Sequence, residues 1–62
     1  MKVKEIIKLV ENDGWILERI NGSHRHYTHP VKKGIVTIPS KFSSDLAKGT
    51  EISILKQSGL KK

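Results

Sequence analysis

Apolar residues recur along the first turn-length segments of the chain at the spacing of one helical face. Val3, Ile6, Ile7 and Val10 stand at i, i+3, i+4 and i+7, and Leu9 widens the stripe. The pattern stops at Asn12-Asp13-Gly14, where Gly14 suits the left-handed position just past a helix. Trp15 to Ile20 reads as a strand, followed by Asn21-Gly22, a strong hairpin signal. Ser23 to His29 reads as the returning strand, and Pro30 to Gly34 as a second turn. Ile35-Val36-Thr37-Ile38 is a β-branched run that predicts a third strand, closed by Pro39. Ser40 to Gly49 is irregular, with one short turn near Ser44-Asp45-Leu46. Thr50 reads as the N-cap of a second helix, with Glu51 in its first turn, Ile52, Ile54 and Leu55 apolar, and Lys56 near its end. Gly59 is the stop, and Leu60 can pack back. The order is α-β-β-β-α. It predicts an α+β two-layer sandwich: a three-stranded antiparallel sheet with both helices on one face and water on the other.

Length and composition narrow this picture. The chain has 62 residues and is expected to be a single domain over 1–62. A domain of that size buries only about 60% of the surface its unfolded chain exposes, so large side chains such as Trp15 and Tyr27 are expected in the core. There is no cysteine, hence no disulfide and no thiolate ligand for zinc. No uninterrupted apolar run resembles a secretion signal or a membrane span, so a cytoplasmic protein without membrane contact is expected.

The formal charge of +6 is unevenly placed. Residues 1–18 hold three lysines against four carboxylates, net −1; residues 19–62 hold nine bases against Asp45 and Glu51, net +7. A surface of this kind concentrates polyanions, and nucleic acid is the commonest of them.

The hairpin decides what the basic half can do. With Asn21-Gly22 as the central turn residues, Arg19 faces His24, Leu17 faces His26 and Ile16 faces Tyr27. Ile16, Ile20 and Tyr27 then share the core face. Arg19, His24 and His26 share the other, beside Leu17 and Trp15. A bulge near Gly22-Ser23 would change these faces. Two imidazoles beside a guanidinium suit RNA cleavage through the ribose. One group must take the 2′-hydroxyl proton and one must protonate the departing 5′-oxygen, and histidine can do either near neutral pH. Arginine can hold two phosphate oxygens as charge builds. Gly22 lets the backbone approach a ligand, and the Ser23 hydroxyl can donate to a phosphate oxygen. The scheme calls for no metal and no cofactor. His24-x-His26-x-x-His29 also has the look of a metal motif, but alternation turns His29 away and no cysteine or nearby carboxylate completes a shell.

Read as a whole, the residues resemble the HicA toxins. Gly22-Ser23-His24-Arg25-His26-Tyr27 resembles that family's Gly-Ser-His-x-x-aromatic signature. Gly14-Trp15, Arg19, His29-Pro30, Val36-Thr37-Ile38-Pro39, Asp45-Leu46, Gly49-Thr50 and Ser53 to Leu60 follow the family pattern in order, over nearly the whole chain. The resemblance implies a fold like double-stranded-RNA-binding domains and a metal-independent ribonuclease that cleaves messenger RNA, inhibiting translation and growth. It implies a HicB-type antitoxin partner, with any sequence-specific DNA binding left to that partner. It also implies His24 as the catalytic residue. Where the family often carries a histidine or basic residue after the strand-three proline, this chain has Ser40, with Lys41 next.

The candidate RNA contacts are Arg19, Gly22, Ser23, His26 and Lys41. His26 is either a second acid or base or a plain surface residue. His29 reads as a strand-end residue, and Lys32-Lys33 as general attraction. The alternative to catalysis is a non-catalytic RNA-binding module. Such a module carries its key lysines at the start of its last helix, where Gly49-Thr50-Glu51 is acidic.

Overall fold

The computed structural model describes residues 1–60. The elements follow the expected order: α1 (Val3–Asn12), β1 (Ile16–Asn21), β2 (His24–Thr28), β3 (Val36–Pro39) and α2 (Lys48–Gln57). The strands form one antiparallel sheet in the order β1-β2-β3, so β2 is central. Val3, Ile6, Ile7 and Val10 of α1 are buried against Tyr27, Val36 and Ile38 of the sheet, together with Trp15 and Ile54 of α2. Tyr27 faces Val36 across the ladder, and Ile38 lies two residues further along. These three therefore share one face of the sheet, and both helices cover it.

The hairpin differs from the sequence reading. Its two central residues are Gly22 and Ser23, and Asn21 pairs with His24. Gly22 has φ +62, and no other residue type has positive φ among the described residues. Glycine at the first central position with positive φ is the type II′ pattern. The expected Asn21-Gly22 turn would be type I′, which needs positive φ at Asn21 as well. Gly22-Ser23 reverses the chain with only the glycine in that region.

This shift moves the register. Arg19 pairs with His26 and Ile20 with Arg25. A β-bulge between Leu17 and Arg19 then resets the ladder, so that Leu17 faces Tyr27 and Ile16 faces Thr28. The physical reason is the core. Without the bulge, Glu18 would stand opposite the fully buried Tyr27 on the apolar face. With it, Glu18 leaves the ladder exposed and Leu17 turns inward. Ile16 is thus 60% exposed on the outer face rather than in the core. Ile20 points to the helix side but lies near the hairpin tip, where it stays 54% exposed. Leu17, which the Asn21-Gly22 register puts beside the histidines, packs on the core side instead; Trp15, which that register puts there too, lies in the core as its size predicts.

The second helix begins two residues before Thr50. Its N-cap is Ala47, without a side-chain hydrogen bond, and Lys48 is its first residue. The irregular stretch before it crosses the start of α1. Ser44 and Phe42 carbonyls accept from Val3 and Lys4 N–H, the Leu46 N–H donates to Met1, and Lys2 bridges to Asp45. This loop satisfies α1's otherwise orphaned first donors, helped by Glu5, whose carboxylate accepts from the Lys2 N–H at 2.9 Å. The β2–β3 loop does the same for the helix ends. His29 donates from Nε2 to the Asp13 carbonyl at 2.8 Å, and its Nδ1 accepts from Val31 and Lys32 N–H. Gly14, with φ +102, lies so close that a β-carbon there would meet His29 Nε2 at 2.8 Å. His29 is thus a packed residue, edge-on to Trp15, rather than a plain strand end.

Candidate functional site

The uncovered face of the sheet carries two rows of side chains. Across the tip end, Asn21 of β1, His24 of β2 and Pro39 of β3 stand side by side. One step along, Arg19, His26 and Thr37 do the same. Alternation places both rows on the face opposite Tyr27, Val36 and Ile38. Arg19, His24 and His26 therefore meet as expected, although the pairing is different: Arg19 is opposite His26, and His24 is opposite Asn21.

The site residues differ in how firmly they are held. His24 is exposed, at the first position of the central strand, immediately after the turn. His26 is half-buried, and its Nδ1 is 3.2 Å from the Thr37 hydroxyl. Arg19 is exposed on the edge strand beside the Glu18 bulge. The turn itself is tied down, because the Ser40 N–H donates to the Ser23 carbonyl at 2.8 Å. That bond draws the end of β3 against the Gly22-Ser23 turn and brings exposed Lys41, the next residue, to the same end of the sheet. Gly22 has open space at its α-carbon, with nothing within 4 Å of a β-carbon built there. The turn is therefore accessible to a ligand.

The other charged groups are placed differently. The three histidines do not converge, since both ring nitrogens of His29 are engaged by backbone groups on the helix side. Among the described residues no group of three metal-ligating side chains is assembled. Lys32, expected to add general attraction, instead joins the two helix ends: its Nζ bonds the Asp13 carboxylate and the Ser58 carbonyl. The Lys32 ammonium beside Asp13 holds that carboxyl below its ordinary range. Burial pushes the Tyr27 hydroxyl above its usual value, against the opposing pull of the nearby Arg25 guanidinium. Arg25 itself points to the helix side and lies over the Phe42 ring, 4.5 Å from its centre.

A concavity lies elsewhere, on the helix side. A shallow groove of about 500 Å³ runs along α1, lined by Lys4, Glu5, Ile7, Lys8, Glu11 and Phe42. Two lysines balance two glutamates there, so it offers a polyanion no net attraction. The histidine face is covered by neither helix.

Two residues of this face were not legible beforehand. The Asn-Gly signal reads Asn21 as a turn residue, which hides its place opposite His24. Thr37 sits between buried Val36 and Ile38, and that alternation already turned it outward. What was missing was the β2–β3 register that brings it to His26.

No curated protein matches the chain. The family model described as the HicA toxin of bacterial toxin–antitoxin systems matches residues 3–60, nearly the whole chain. No helix among the described residues is long and apolar enough to cross a membrane. The signature residues Gly22, Ser23 and His24 lie within the matched span and form the exposed tip of the central hairpin. This chain belongs to the HicA toxin family.

Proposed function

We propose that this toxin is a metal-independent endoribonuclease that cleaves messenger RNA, with His24 as its catalytic residue. The observation that carries the reading is an exposed imidazole at the hairpin tip, flanked on one open sheet face by Arg19 and His26. In this reading the RNA backbone lies across that face. Arg19 and Lys41 contact phosphate oxygens. Gly22 allows close approach, the Ser23 hydroxyl donates to the phosphate, and His26 contributes a further contact. His24 takes or gives a proton at a ribose or departing oxygen. Inhibition of translation and growth follows from loss of message.

The partner is a HicB-type antitoxin, which would inhibit by covering the His24 face. The basic half of the chain is reserved for RNA, and sequence-specific DNA binding is left to the antitoxin. The cytoplasm, where messenger RNA is found, is the proposed location.

Induction of wild type beside His24→Ala, with growth and RNA integrity followed together, tests this. His24→Ala should retain the wild-type circular-dichroism spectrum and RNA binding while losing cleavage and growth inhibition. Full cleavage by His24→Ala in the presence of chelator would defeat the assignment. A non-catalytic RNA-binding module keeps one observation in its favour: α2 opens on Lys48, which is exposed. That reading requires wild type and His24→Ala to bind RNA equally and to leave it intact.

A further inference from the structure

A ribonuclease that works through the ribose moves two protons, and one exposed imidazole serves only one of them at a time. We infer that His26 is the second proton-transfer group and that Thr37 is its positioning residue. The inference rests on the RNA-cleaving reading given above.

Three observations carry it. First, His24 and His26 are two residues apart on one strand and lie on one face, so their α-carbons stand about 6.5–7 Å apart. In an in-line displacement the attacking and departing oxygens lie on opposite sides of phosphorus. A donor and an acceptor, each within about 2.6–3.2 Å of its oxygen, must therefore be several ångströms apart. Adjacent positions on one strand would point to opposite faces, and positions four apart would overreach. Second, His26 is oriented. Its Nδ1 lies 3.2 Å from the Thr37 hydroxyl, which leaves Nε2 as the nitrogen open to a substrate. With Nε2 as the exchanging nitrogen, Nδ1 keeps its hydrogen in both the neutral and the protonated ring, and the Thr37 hydroxyl accepts from it in both states. Third, Arg19 stands directly across from His26 on β1, in position to hold the phosphate between the imidazoles.

The step balances without any further reactant. One imidazole removes the 2′-hydroxyl proton as the 2′-oxygen forms its bond to phosphorus. The bond from phosphorus to the 5′-oxygen breaks, and the other imidazole, already protonated, gives its proton to that oxygen. The products are a 2′,3′-cyclic phosphate and a 5′-hydroxyl. The groups facing His26 are Arg19 from β1, Thr37 from β3, and His24 and Thr28 along β2, with Glu18 at the bulge beside Arg19. The helices pack on the other side of the sheet.

The test uses the full chain and a labelled RNA oligomer, with His24→Gln, His26→Gln, Thr37→Val and Thr37→Ser compared over a range of pH. All three positions lie on the uncovered face, and unchanged thermal midpoints establish that the variants fold. His26→Gln should lower kcat about a hundredfold or more and remove one limb of the pH–rate profile. Thr37→Val, which keeps shape and loses the hydroxyl, should lower kcat about three- to tenfold with KM unchanged, and Thr37→Ser should restore it. An oligomer with sulfur in place of the bridging 5′-oxygen has a leaving group that needs no proton. On it, one of the two glutamine variants should recover and the other should not. Cleavage by His26→Gln within about threefold of wild type, or an unchanged pH profile, overturns the inference while leaving His24 in place. A fully active His24→Gln removes the underlying reading instead, and a wild type that cleaves no RNA removes both.

Discussion

Gly22 shows how a single backbone angle sets up the site. Its φ of +62 lies where an L side chain is disfavoured, yet a β-carbon there would touch nothing within 4 Å. The cost of Gly22→Ala is therefore conformational and not steric. We expect a loss of about 1–2 kcal/mol in urea unfolding, because the left-handed region penalises Cβ by that amount. An unchanged midpoint would mean that the turn is not held in this form. Tyr27 illustrates the opposite case. It is fully buried, and its hydroxyl has no hydrogen-bond partner among the described residues. The ring fills the small core, and the hydroxyl's raised pKa reflects that burial. The same ring also enforces the bulge at Glu18, since a carboxylate opposite it could not be hydrated. Residue by residue, the outer face is left to groups that can reach a ligand, and the inner face to groups that fill space.

At the scale of elements, the two helices start in different ways. α1 has its first N–H groups taken up by carbonyls of the 41–47 loop and by Glu5. α2 starts on Ala47, which has an extended backbone (φ −59, ψ 145), is exposed, and provides no side-chain acceptor. Its first residue is a lysine, unfavourable at the positive end of a helix. Ala47→Asp supplies both an acceptor for the free N–H groups and a charge of the right sign. It should raise stability by about 1 kcal/mol, read as a higher thermal midpoint, without altering the histidine face on the far side of the sheet. A neutral or lower midpoint would show that the α2 start is already satisfied. The β1–β2 hairpin carries Arg19, His24 and His26. It is pinned to β3 by the bond between Ser40 N–H and the Ser23 carbonyl, so its tip is fixed relative to Thr37, Pro39 and Lys41.

Across the whole molecule, Lys32 acts as a clasp. Asp13 and Ser58 are the C-caps of α1 and α2, and one ammonium from the β2–β3 loop bonds both. A cation at two helix carboxyl ends is favourable for the dipoles of both. The Trp15 indole N–H reaches the same Ser58 carbonyl at 3.3 Å, so ring, helix end and loop meet at one point. Because Lys32 lowers the Asp13 pKa in the folded state, this contribution is full above the ordinary carboxyl value of 3.8 and is lost as pH falls through the folded value. Lys32→Met should therefore melt below wild type at pH 7, and the gap should narrow on acidification to about pH 3. A gap that stayed constant with pH would assign Lys32 a packing role only. The clasp also has a consequence for charge. One lysine of the basic half is tied to a carboxylate on the helix side, while Arg19 remains exposed on the open face and Lys41 is exposed at the turn end of the sheet.

The order and type of the elements were legible in the sequence, because hydrophobic period and turn chemistry are local properties. So were the burial of Val3, Ile6, Ile7 and Val10, the packing of Trp15 and Tyr27, and the family signature through His24. Arg19, His24 and His26 were also placed on one face, although through the wrong pairing. The register itself could not be read locally. It depends on which two residues turn the hairpin and on where one extra residue is absorbed, and both are decided by keeping Glu18 out from under the helices. Tertiary structure alone set Thr37 beside His26, Asn21 beside His24 and Lys32 between two helix ends. Each of these contacts joins segments whose separation along the chain says nothing about their distance in space, and only the packed core fixes that distance.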